Sequence, residues 1–101
     1  MIHIQIVSRS GENLQSLIRG AIAAGKIKSL AVSSVKGGVR LHHQKFQGEL
    51  KLTRTSGPLL VTLICKNRSR EFQLLETFIG RLTYHFKNEI AAINIQLEPE
   101  E

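Results

Sequence analysis

The sequence predicts an α+β domain in which one antiparallel sheet carries two helices on a single face. Three observations predict it. Segments suited to strands stand near both ends and in the middle of the chain. Two stretches between them carry apolar residues at helical spacing, and a Gly-Pro turn joins two adjacent strand-like segments.

Each element follows in order. Ile2-His3-Ile4-Gln5-Ile6-Val7 alternates apolar and polar, the pattern of a half-buried strand. Ser10 is placed to cap a helix, with Glu12 in the first turn, where the helix dipole favours an acid. Leu14, Leu17, Ile18, Ala21 and Ile22 then form one apolar stripe, and Gly25 is placed to end the helix. Leu30 to Val35 is a second strand, after which Gly37-Gly38 requires a turn or bulge. A third strand from about Gln47 to Thr53 is broken by Thr55-Ser56-Gly57-Pro58, and Leu59 to Cys65 makes a fourth, so the two form a hairpin. Ser69 is placed to cap a second helix, with Glu71 in its first turn and a core stripe of Phe72, Leu75, Phe78, Ile79, Leu82 and Phe86. Ile90 to Leu97 is the last strand, followed by a polar tail. The order is β-α-β-β-β-α-β with a long hairpin, and the fold expected is a ferredoxin-like α+β sandwich.

At 101 residues the chain is expected to be a single domain, residues 1–101, with one modest core. Hydrophobic residues make up 42 %, which argues against disorder. No apolar run approaches the roughly 18 residues of a membrane span, and the start lacks the charged and apolar regions of a signal peptide. The single cysteine, Cys65, has no partner in the sequence for an internal disulfide. Together these predict a cytoplasmic protein in a reducing compartment. The net charge of +6 fits either an anionic partner or plain solubility, and the spread of cations from Arg9 to Lys87 favours solubility.

The two strands Leu59–Cys65 and Ile90–Ile93 are apolar on both faces, which predicts cover on both sides. Two helices cover one face only. A second copy of the chain is the simplest source of further cover, so self-association is expected.

Chemistry-bearing motifs are sparse. Gly-x-Ser-x-Gly is absent, and no residue is placed as a catalytic group, so an enzyme is not expected. His42 and His43 are adjacent, so in a strand they point to opposite faces and do not share a metal. His85, near the end of helix two, suits the helix dipole there. Two cationic segments stand out. Lys36-Gly37-Gly38-Val39-Arg40 combines backbone freedom with two cations, although the Walker ending is missing. Lys66-Asn67-Arg68-Ser69-Arg70 leads into a helix N-terminus, which suits phosphate or carboxylate. Lys66, Arg68, Arg70, Lys36 and Arg40 are therefore the candidate anion cleft, weighed against ordinary solvated loops. Four Phe and one Tyr, with three of the Phe on helix two, speak against nucleic acid.

Several phrases resemble the CutA divalent-ion-tolerance family, whose domain belongs with the PII-like signalling proteins. They are Leu30-Ala31-Val32-Ser33-Ser34, Phe46-Gln47-Gly48-Glu49, Leu63-Ile64-Cys65-Lys66, and Thr83-Tyr84-His85-Phe86-Lys87-Asn88-Glu89-Ile90. Family members carry Leu-Ala-Ala-Cys-Val, Trp-Gln-Gly-Glu, a Leu-rich strand ending in Lys-Thr, and His-Pro-Tyr-x-x-Pro-Glu-Ile at these places. The resemblance implies a homotrimer with hairpins reaching between subunits, and a binding protein associated with the response to divalent metal ions. It places the family's metal ligands on Ser33, Thr83 and Glu89, of which Glu89 alone keeps a strong ligand. Without thiolate and imidazole, a tight metal site is not expected within the chain. No cofactor and no membrane partner are expected. The alternative is a PII-like sensor that binds a nucleotide or small anion at the cleft between subunits.

Overall fold

A computed structural model describes residues 1–35, 38–43 and 48–98. Within them lie six strands and two helices: β1 (Ile2–Ser8), α1 (Leu14–Ala23), β2 (Leu30–Val35), β3 (Gly38–His43), β4 (Glu49–Thr53), β5 (Leu59–Ile64), α2 (Arg68–Phe86) and β6 (Ile90–Leu97). The strands form one sheet in the order β2-β3-β4-β5-β1-β6, and every neighbouring pair is antiparallel. This is an α+β arrangement compatible with a ferredoxin-like sandwich.

The alternation along β1 buries Ile2, Ile4 and Ile6, and the register puts them in line with Leu63, Val61 and Leu59 of β5. Leu50 and Leu52 of β4 and Val39 and Leu41 of β3 continue the same inward row. Leu14, Ile18 and Ala21 of α1 and Leu74, Phe78, Leu82 and Phe86 of α2 join these residues in one core cluster, so both helices cover one face.

β3 was not expected as a separate strand. Only Val39 and Leu41 are apolar within Gly38–His43, too short an alternation to stand out from a hairpin flank. Tertiary pairing makes it a strand, with Ser33 opposite Arg40 on one side and Leu50 opposite Leu41 on the other. Gly38 opens it, and a Cβ there would run into the Leu52 carbonyl oxygen of β4. The expected third strand begins at Glu49, and Gln47 and Gly37 lie outside the described residues.

Both expected helix caps move. Asn13 caps α1, its side chain accepting the Ser16 N–H at 3.2 Å. Ser10 and Glu12 belong to the preceding loop, where the Ser10 N–H donates to Glu12 Oε2 at 2.9 Å. Asn67 caps α2, accepting the Ser69 and Arg70 N–H groups at 3.0 and 3.3 Å. Gly25 does end α1. At φ +78° it follows the last turn, with Gly25 N–H donating to Ile22 O and Lys26 N–H to Ala21 O, the paired bonds of a Schellman motif.

The buried stripe of α2 is rotated from the expected one. Glu71, Leu74, Phe78, Leu82 and Phe86 are buried, Leu75 and Ile79 are half-buried, and Phe72 is 38 % exposed. The Arg68 guanidinium lies 5.4 Å from the centre of the Phe72 ring, which gives that ring a surface partner. Glu71, only 2 % exposed, stands in the first turn of α2, where the dipole favours an acid, and its Oε2 is 3.3 Å from the Met1 amine.

The other face of the sheet is more polar than expected. His3 and Gln5 of β1, Lys51 of β4 and Arg40 of β3 point there, beside Leu60, Thr62 and Ile64 of β5. Leu60 (41 % exposed) and Ile64 (38 %) lie uncovered in the single chain. No helix among the described residues is long and apolar enough to cross a membrane.

Candidate functional site

The cationic segments meet an acid. Arg40 Nε lies 3.0 Å from Glu49 Oε2, and Glu49 pairs with Ile64 in the sheet register. Glu49 therefore lines one hollow of about 440 Å³ together with Gly48, Ile64, Cys65 and Lys66. The other cations of the expected cleft are engaged locally. Arg68 Nη2 donates to the Glu98 carbonyl at 2.9 Å, and Arg70 Nη1 to Gln73 Oε1 at 3.3 Å. Asn67 takes two amides of the α2 N-terminus that an anion would otherwise use. Lys36 lies outside the described residues. Arg40 and Lys66 thus share a neighbourhood, but the carboxylate of Glu49 stands in it.

The three ligand positions implied by the resemblance do not converge. Ser33 is exposed on β2 opposite Arg40, on the face away from the helices. Thr83 is exposed on α2, on the helix side, and its Oγ1 lies 3.0 Å from Ile79 O and 3.1 Å from Gly80 O. Glu89 sits in the turn after α2, where its N–H donates to Phe86 O at 3.0 Å and its carbonyl accepts the Arg9 N–H at 2.8 Å. The sheet separates Ser33 from Thr83. Among the described residues no three His, Cys, Asp or Glu side chains gather as a metal cluster. Glu89 instead shares a hollow of about 380 Å³ with His85, Lys26 and Ser16. That hollow offers two ligands at most, and a cation beside them.

A third hollow, of about 440 Å³, was not foreseen. It lies where the C-terminal end of β1, the loop before α1 and the β4–β5 turn meet, and Arg54, Glu12, Gln15 and Ser8 line it over Ile6, Leu14 and Leu59. The pairing of Ile6 with Leu59 brings the two polar loops together. Thr55 Oγ1 fixes the turn by donating to Pro58 O at 2.6 Å and accepting the Gly57 N–H at 3.1 Å. The sequence signals were the polar, Gly-containing runs Ser8–Gly11 and Arg54–Gly57. Each reads as an ordinary loop until the sheet register joins them.

Comparison of the chain with protein-family models, curated proteins and solved structures found no match in any of the three.

Proposed function

We propose that this chain is a self-associating binding module, a CutA-like homotrimer associated with the response to divalent metal ions, and not an enzyme. The observation that carries self-association is the state of β6. It is an edge strand, and no charged residue occurs from Ile90 to Leu97. Its Ile93, Ile95 and Leu97 pair with Ile6, Ile4 and Ile2, the buried row of β1. α2 packs over β5. Ile93 still packs against the core, but Ile95 is 44 % and Leu97 50 % exposed.

Edge strands of monomers are usually blunted by charge, proline or a covering segment, because their backbone groups invite another strand. β6 has no charge and no proline along its length. Leu60 and Ile64 on the open face add apolar area that a neighbouring copy can bury. A closed ring of three requires one surface of each copy to meet a different surface of the next. β6 at one edge and β2 at the other provide two such surfaces. The number three itself comes from the family resemblance. Binding of a nucleotide or small anion between subunits is the weaker alternative, because Glu49 opposes an anion beside Lys66.

Sedimentation velocity at micromolar concentration tests the proposal. The wild type is expected to run as a trimer, and an Ile95→Lys, Leu97→Lys double variant as a folded monomer. A wild type that stays monomeric at tens of micromolar overturns it.

A further inference from the structure

The hollow between the β1–α1 loop and the β4–β5 turn has two charged side chains of opposite sign in its wall, the exposed Arg54 and the half-buried Glu12. Arg54 has no hydrogen-bond or ion-pair partner among the described residues. Glu12 spends Oε2 on the Ser10 N–H and has no ion pair among the described residues. No ion pair joins the two, although they line the same space. Gln15 lines it as well, and its Oε1 is buried without a hydrogen-bond partner. Ile6, Leu14 and Leu59 supply an apolar floor. A volume of about 440 Å³ falls at the small end of ligand sites, roughly 300–1,000 Å³.

These groups select by charge pattern. A simple anion would meet Arg54 but also the Glu12 carboxylate. A simple cation would meet Glu12 but also Arg54. A ligand that carries both charges on one carbon, with an apolar group beside them, meets both side chains. We infer that this hollow binds a free α-amino acid with a small or medium apolar side chain. Its carboxylate is held at Arg54, its ammonium at Glu12, and its side chain rests on Ile6, Leu14 and Leu59. The site is built within one chain and does not depend on the assembly proposed above.

The test is calorimetric titration of the wild type with glycine, alanine, valine and leucine. Two leucine analogues serve as controls, 4-methylpentanoate without the amine and isoamylamine without the carboxylate. At least one apolar amino acid is expected to bind, and neither analogue to match it. Arg54→Gln and Glu12→Gln are each expected to weaken binding about ten- to hundredfold, the loss of one charge-assisted hydrogen bond. Amide chemical shifts of Gly11 and Gly57 in the wild-type protein are expected to move on titration, a readout that needs no variant. The inference is overturned if no amino acid binds, if an analogue with one charged group binds equally well, if both variants bind as the wild type does, or if those two amides stay still.

Discussion

His3 Nε2 lies 2.8 Å from Glu98 Oε1, a contact that fastens the chain just after β6 to the first residues of β1. The hydrogen bond from His3 holds the Glu98 carboxyl below its ordinary value of 4.5, and the charges of His3 and the N-terminus add to this, against a smaller desolvation effect. A carboxylate depressed in the folded state contributes its stability above the unfolded value and loses it as pH falls through the folded one. The window is therefore acidic, below 4.5. Both side chains are solvent-exposed, so water screens the pair and it is a weak fastening. Carbon-13 NMR titration is expected to give Glu98 a midpoint below that of a free glutamate, and the His3→Gln variant is expected to raise it toward the ordinary value. An unchanged midpoint in that variant would assign the depression to another group. At this scale the sequence was silent, since 95 residues separate the partners and the β1–β6 register alone brings them together.

Within α2, the face that packs was set by the sheet beneath it and not by apolarity alone. Phe72 and Phe78 are the same residue type on the same helix, yet Phe78 is 1 % exposed and Phe72 38 %. Truncating Phe78 to alanine is expected to cost about 3–5 kcal/mol through lost burial and a residual cavity. The same change at Phe72 is expected to cost about 1 kcal/mol or less, since the ring already meets solvent and the Arg68 guanidinium. Urea unfolding of both variants separates the two. Equal losses would mean that the stripe runs through Phe72, as periodicity alone suggests. The helix itself was legible from its apolar spacing, and β6 was legible over its full span, Ile90–Leu97. The caps were not. Serine, asparagine and aspartate compete on nearly equal terms for an N-cap, so Ser10 and Ser69 were as plausible by type as Asn13 and Asn67. The positions at which the chain actually turns into each helix decided between them.

For the whole molecule, the layer arrangement governs what a metal ion can find. Ser33 lies on the open side of the sheet and Thr83 on the helix side, and neither is a strong ligand. Calorimetric titration with copper(II) and zinc is expected to show binding of roughly micromolar affinity or weaker, without fixed stoichiometry, from surface imidazoles such as His42. A stoichiometric nanomolar site lost in Glu89→Gln would contradict this, and would place the metal at the His85–Glu89 hollow or between copies. Several properties were determined by the sequence alone. The alternation of Ile2, Ile4 and Ile6, the helical spacing around Leu14 and Phe78, and the Gly-Pro turn specify an antiparallel sheet with two helices, because these periodicities are local and each element must bury its apolar side. Only the tertiary structure decided that Gly38–His43 joins the sheet, that Glu49 meets Arg40 and lines a hollow with Lys66, and that Ile95 and Leu97 of β6 stay exposed. It also joined the loops of Glu12 and Arg54 into one hollow. Strand register and the placing of helices over strands arise from contacts between residues far apart in the chain, and no local pattern encodes which distant partner a residue will meet.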